Sequence, residues 1–325
     1  MRFVDLHCDT MLRIYSGKSA CLRSNAGHVD LEKLRSAGYA LQCFALFFRL
    51  RGEPDPWAKV NAMADLFDSE TAANADLVSP VRSFADIEKA EKDGKTAALL
   101  TVEEGGVCGG SLEKLRALYD RGVRLITITW NYENGLGWPN MPADGGAGLT
   151  PLTAVPDTEH GLTQTGIEFV REMERLGMVV DVSHLSDAGF YDVLKYTSAP
   201  FMASHSNARA VCGCVRNLTD DMIRRLADRG GVSGLNLYSS FLTGDGTGDL
   251  ADAIGRHARH MADVGGEDFV ALGSDFDGIP TNSAIPDAAH MPLMAGILSG
   301  AGFTARQIDK ITSGNALRVL KARIG

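Results

Sequence analysis

The chain begins MRFVDLHCDTM, where the imidazole of His7 stands two residues before the carboxylate of Asp9. Further along, four side chains of metal-binding type end apolar runs: Glu103 after LLTV, His184 after VVDVS, His205 after FMAS and Asp275 after VALGS. Three imidazoles and three carboxylates suit zinc or a similar divalent ion. Six donors exceed the needs of one tetrahedral zinc. They match two ions about 3.5–4 Å apart, joined by a carboxylate and a water. Glu103, alone on its run, is the carboxylate assigned to the bridge. Its neighbour Glu104 competes for that role, and strand alternation selects Glu103. Metal binding lowers the pKa of water from about 15.7 to about 7, so hydroxide becomes available at neutral pH.

Each of these residues alone has a plainer use. A histidine at a strand end also serves as a hydrogen-bonded core residue, and an acid there also caps the next helix. Their coincidence at the ends of separate runs carries the metal reading. The other five histidines, His28, His160, His257, His260 and His290, fall in helices or loops.

Donors so far apart in sequence need a scaffold that gathers strand ends at one rim. Eight β-rich runs recur: FVDLHC, YALQCFALFF, TAALLTVEE, RLITITW, MVVDVSH, PFMASHS, GVSGLNLY and FVALGSD. Amphipathic helical stretches lie between them. SLEKLRALYDRG spaces Leu112, Leu115 and Leu118 for one face and stops at Gly122. GIEFVREMERLG groups Phe169, Val170, Met173 and Leu176, and LTDDMIRRLADRG starts with Thr219 as N-cap. Strands alternating with helices imply parallel pairing. The fold expected is an α/β TIM (β/α)8 barrel of metal-dependent hydrolase type, with a doubly wound open sheet as second choice. One domain, 1–325, is expected, since no linker-like stretch divides the chain. Active sites of such barrels sit at the C-terminal strand ends. Period-two alternation aims four sets of residues inward: Asp5, His7 and Asp9; Leu99, Thr101 and Glu103; Val180, Val182 and His184; Ala271, Gly273 and Asp275. The Gly- and Pro-rich connection 131–161 is long enough to serve as a lid or as a contact in a homodimer.

The net charge of −9 and pI near 5.4 do not suit a nucleic-acid backbone or an anionic membrane. No run of about 18 apolar residues spans a bilayer, and Asp5, His7 and Asp9 interrupt any signal-peptide core. The six cysteines are scattered without a C-x-x-C pair, as in a reduced chain. A cytoplasmic location is expected.

The chain resembles the membrane dipeptidase (renal dipeptidase) family, the M19 metallopeptidases. The resemblance rests on DLHCDT, TVEEGG, SLEKLRALYDRGVRLITIT, GLTQTG, REMERLGMVVDVSHLS, ASHSNARAVC, RNLTDD and GSDFDGI, with NALRVL near the end. It implies a TIM barrel with two zinc ions, His7 and Asp9 on one and His184 and His205 on the other, bridged by Glu103 and a water or hydroxide. It further implies that Arg216 binds the substrate carboxylate and that Asp275 works beside the bridging water. Many family members carry a histidine after the fourth strand that helps hold the substrate or the oxyanion. Trp130 stands in that place here, with Asn131 and His160 as candidate substitutes. The implied function is zinc-dependent hydrolysis of dipeptides, L,L and also L,D. Two alternatives are another binuclear amide or ester hydrolase and a metal-binding barrel without catalysis. Relatives acting on lactones or phosphotriesters often bridge their metals with a modified lysine, and no lysine ends any of the eight runs.

Overall fold

The computed structural model describes residues 1–141 and 152–325. Its strands are β1 (Phe3–Asp5), β2 (Tyr39–Phe47), β3 (Val78–Val81), β4 (Thr96–Glu103), β5 (Leu125–Thr127), β6 (Val179–Asp181), β7 (Met202–Ala203), β8 (Val232–Leu235) and β9 (Val270–Leu272). All pair in parallel. The order β2-β1-β9-β8-β7-β6-β5-β4 closes through a β2–β4 ladder from Leu41↔Ala97 to Phe47↔Glu103. The result is a closed eight-stranded parallel barrel with helices around it, as expected for a TIM barrel.

The ninth strand, β3, is absent from the sequence reading. It pairs Val78–Val81 with Thr96–Leu99, while β5 takes the upper part of the same edge, Thr101–Glu103. Pro80 sits inside β3. Proline cannot donate to a ladder, so it suits a strand with one partner and obscures that strand in sequence.

Two layers of core follow from alternation. Val4, Leu6, Leu41, Cys43, Leu99, Leu125, Val179, Met202, Val232 and Ala271, drawn from strand after strand, pack together inside the barrel. Ala316, Val319, Leu320 and Ile324 of the final helix join that cluster. The larger cluster lies between barrel and helices and includes Phe44, Leu46, Leu100, Val102, Ile126, Val180 and Val182. The helices predicted from periodicity form at Leu112–Arg121, Gln164–Arg175 and Asp220–Asp228. Gly122 ends the first at φ 113°, a left-handed cap, and the Thr219 side chain accepts from Met222 N at the start of the last. Among the described residues no helix is long and apolar enough to cross a membrane.

Two alternation sets are corrected by the structure. Val180 and Val182 pack outward, and Val179 is the interior residue of β6. Val4 and Leu6 point into the barrel, and Asp5 is bound to Ser274, accepting from its N at 2.7 Å and its Oγ at 2.6 Å. The strands are also shorter than their apolar runs. β6 stops at Asp181, where side-chain bonds replace the ladder: Oδ1 accepts from Ser183 N at 2.9 Å and Ser204 N at 2.8 Å. From the loop 131–161, residues 142–151 lie outside the described residues. Its flanks are tied down, with bridges Gly137↔Leu162 and Pro139↔Leu185 and with Asn140 Nδ2 donating to Asp187 Oδ1 at 2.8 Å.

The small residues near the barrel rim are a steric requirement. A Cβ on Gly273 would lie 1.8 Å from Ser204 O and 3.1 Å from the His205 Cα. Gly273→Ala is therefore expected to destabilise the fold by about 1–3 kcal/mol or more through overpacking. Chemical denaturation measures this, and an unchanged midpoint would contradict the close approach of these strands.

Candidate active site

Glu103 closes β4 and is 3 % exposed. Leu99 of the same strand is inside the barrel, and Leu100 and Val102 are outside, so alternation turns Glu103 inward. Its Oε2 lies 3.2 Å from His7 Nε2. Its Oε1 lies 2.9 Å from His184 Nε2 and 3.6 Å from His205 Nε2. His7 Nε2 is also 3.8 Å from Asp9 Oδ2. The two oxygens of one carboxylate thus face two groups of donors, His7 with Asp9 and His184 with His205. Single ligand atoms of His7, Glu103 and His205 fall within 4.8 Å of one another, as do those of His7, Asp9 and Asp275. All six residues singled out from the sequence as metal donors meet at one rim.

His184 reaches the rim by a turn rather than along a strand, with a left-handed φ of 72°. Its Nδ1 bonds Asn131 Oδ1 at 2.7 Å. His205 Nδ1 bonds Ser204 Oγ at 2.7 Å, and that hydroxyl donates to Asp181 Oδ2 at 2.6 Å. Ser204 has one hydroxyl proton and gives it to Asp181, so the His205 Nδ1–H is the donor in the other bond. Both histidines are left with Nε2 lone pairs, and these face each other at 3.0 Å. Burial lowers the pKa of both, with repulsion from Arg216 and the neighbouring histidines adding to it, so both are neutral at ordinary pH.

The carboxylates carry the opposite strain. Burial pushes Glu103 up to about 8; His7 opposes this, and Asp9 and Asp275 add repulsion. Burial works against charge on His7, but Glu103 and Asp9 outweigh it and raise that pKa. His7 Nε2 and Asp9 Oδ1 are buried without a hydrogen-bond partner among the described residues. Facing lone pairs, orphaned polar atoms and crowded carboxylates are costly by themselves. Divalent cations relieve all three, and the Asn131 and Ser204 bonds are the outer support usual for ligating histidines. The residues fit metal.

Asp275 follows β9 at φ 63°. Its Oδ2 accepts from Asn236 Nδ2 at 2.9 Å, and desolvation pushes it up to about 6. Gly278 leaves room beside it: a Cβ there would stand 2.1 Å from Asp9 Oδ2 and 2.8 Å from Asp275 Oδ1.

Arg216 is 4 % exposed. Among the described residues its guanidinium bonds only neutral oxygens, Ser206 Oγ at 3.3 Å and His205 O at 3.5 Å, and its Nε has no hydrogen-bond partner. It lies 5.4 Å from the centre of the Phe241 ring. Among the described residues no carboxylate pairs with it.

A cavity of about 230 Å³ opens over Asp9, Glu103, His184 and Asp275. Phe47, Trp130, Tyr238, Phe241, Ile279 and Pro280 give it apolar walls. Trp130 packs its ring 5.1 Å from Phe47 and 6.2 Å from His184. Asn131 also lines the cavity, where it fixes the His184 ring. His160 is not brought to the site. It is exposed, bonds Asp157 Oδ2 through Nδ1 at 3.0 Å and packs 5.6 Å from Trp138.

Sequence reasoning missed Asp181, Ser204 and Asn236, which support the donors. A signal existed for the first: VVDVSH repeats the pattern of FVDLH, an acid inside an apolar run just before a ligand. Trp130 apart, it also missed the apolar walls, since Phe47, Tyr238 and Phe241, at or just beyond the ends of β2 and β8, carry no donor chemistry.

The family model described as membrane dipeptidase (Peptidase family M19) matches residues 1–323. An uncharacterized dipeptidase of Schizosaccharomyces pombe is 33% identical over 315 residues, covering 90% of this chain and 72% of the relative. An uncharacterized protein in the pqqA 5' region of Klebsiella pneumoniae is 39% identical over 242 residues, covering 74% of this chain and 86% of the relative. Among solved structures, the dipeptidase AC, a metallo peptidase of family M19, superposes with TM-score 0.88 at 29% identity, covering 100% of this chain and 99% of that one. A metallo peptidase from Rhodobacter sphaeroides, liganded with a phosphinate mimic of the dipeptide L-Ala-D-Ala, gives TM-score 0.86 at 27% identity, covering 99% of each. A match along nearly the whole chain, joined to the barrel and its rim of donors, shows that this chain belongs to peptidase family M19, the membrane dipeptidase family, and is a hydrolase of the metallo-dipeptidase type.

Proposed function

We propose that the chain is a binuclear zinc enzyme that hydrolyses the peptide bond of dipeptides, L,L and L,D. The observation that carries this reading is a buried carboxylate, Glu103, with one oxygen toward each of two donor groups. His7, Asp9 and Glu103 Oε2 would hold one ion, and His184, His205 and Glu103 Oε1 the other. Bound there, zinc supplies Lewis acidity and a water of lowered pKa.

The chain's own residues do the rest. Arg216, buried and unpaired, offers its planar fork to the terminal carboxylate of the dipeptide, which limits the substrate to a short peptide. Asp275 is held through Oδ2 by Asn236, which leaves Oδ1 to take the proton of the attacking water. As the carbon–nitrogen bond breaks, Asp275 returns that proton to the leaving nitrogen. Gly278 keeps the approach to Asp9 and Asp275 open. The apolar walls exclude water and give side chains of the substrate a surface to bury against. Tolerance of a D-residue is supported by the Rhodobacter sphaeroides relative with its L-Ala-D-Ala mimic.

Three measurements test the reading. Arg216→Ala should lower kcat/KM for dipeptides by about 1.5–3 kcal/mol, the range for a hydrogen bond to a charged group; unchanged kinetics would remove Arg216 from substrate binding. Asp275→Asn should abolish turnover while zinc content, read by metal analysis, stays at the wild-type level. Activity in that variant would mean that another group moves the proton. Dialysis against a chelator should end hydrolysis and added zinc should restore it, so persistent hydrolysis in metal-free protein would reject the zinc mechanism.

A further inference from the structure

The carboxylate of Glu104 is fully buried, yet it is no part of the donor set. It belongs to a residue with φ 103°, a conformation that L-residues rarely adopt. A strained backbone and a fully buried carboxylate in one residue call for a return elsewhere. We propose that Glu104 is a positioning residue that clamps the turn 130–134, so that Asn131 holds His184 in its metal-binding orientation and Trp130 stands in the cavity wall. The proposal rests on the zinc-site reading above.

Among the described residues, every hydrogen-bond partner of Glu104 is an N–H. Oε2 accepts from Trp130 N at 3.1 Å. Oε1 accepts from Gly106 N at 3.0 Å and from Asn134 Nδ2. The carboxylate therefore grips both ends of the turn. Asn134 extends the grip, with Nδ2 donating to Ile128 O at 2.9 Å and Oδ1 accepting from Leu136 N at 2.7 Å. Gly106 is part of the device, because a Cβ there would stand 2.7 Å from Glu104 Oε1.

Two residues of the clamped turn, Trp130 and Asn131, are the ones that matter to the site. Asn131 Oδ1 accepts from His184 Nδ1 at 2.7 Å, which leaves the His184 Nε2 lone pair aimed at Glu103. The Trp130 ring is braced by Phe47 at 5.1 Å and by Tyr132 at 5.6 Å. The physical path is short and continuous: carboxylate, turn, amide, imidazole, metal donor. Adjacent glutamates thus divide the work, Glu103 facing the donors and Glu104 fixing the frame of one of them.

Glu104→Gly removes the clamp, and because glycine accepts φ 103° without strain, part of the stability lost with the three N–H bonds is offset. Expected is a protein that still unfolds cooperatively, as read by circular dichroism of the metal-free form, with zinc affinity lower by about 10- to 100-fold, the usual effect of losing an outer partner of a ligating histidine. Zinc competition against a chelating dye reads this without any substrate. Asn131→Ala should give the same loss, and the double variant should be no worse than Asn131→Ala alone, as for two members of one path. Glu104→Gln, which keeps one accepting oxygen, should recover part of the affinity. Wild-type zinc affinity in Glu104→Gly would overturn the proposal. So would an affinity loss that adds fully to that of Asn131→Ala, because Glu104 would then act by another route. If the wild-type protein cleaves no dipeptide, the dipeptidase reading fails, and the zinc comparison still decides the role of Glu104.

Discussion

A carboxylate with both oxygens inside the protein, facing three imidazoles, is the constraint on which this architecture depends. Glu103 is nearly inaccessible to solvent, and its neighbours in space are His7, His184 and His205. Two of those imidazoles turn lone pairs toward each other at 3.0 Å. Such an arrangement is unfavourable as a core and favourable as a cage for cations. The barrel supplies the rigidity that keeps it together, since Glu103 ends β4, the strand that zips the barrel shut against β2.

The strands stop early to make the cage. Asp181 and Asp5 accept backbone N–H groups of neighbouring segments, at Ser204 and Ser274, where a ladder would otherwise continue. Freed from the ladder, the chain turns. His184 and Asp275 both take left-handed conformations, and each delivers its side chain to the rim. The cost of such residues is about 1–3 kcal/mol each, and it gathers at the site rather than across the fold.

Charge is distributed with equal economy. The donor side is rich in carboxylates, and the one guanidinium at its edge, Arg216, has no carboxylate partner among the described residues. A site that crowds anions on one side and leaves a buried cation unpaired on the other is matched to a ligand carrying an electrophilic carbonyl and a free carboxylate. A dipeptide is a small molecule of that kind.

Much of this was legible in the sequence. Residue type and position at the ends of apolar runs picked out His7, Asp9, Glu103, His184, His205 and Asp275, because a parallel barrel must bring strand ends to one mouth. Simple alternation placed Glu103, which sits within a regular strand. It misplaced Val180 and Val182, because the period of two holds only while the ladder lasts, and β6 ends three residues before His184. His160, plausible by its place in a long connection, went to the surface beside Asp157. β3 was hidden by Pro80. The sequence by itself determined which side chains are candidate metal donors, since donor chemistry resides in residue type. Tertiary structure alone decided how they are aimed and held, through Asp181, Ser204, Asn131 and Glu104, because those bonds join segments far apart in the chain and depend on backbone turns that no local pattern encodes.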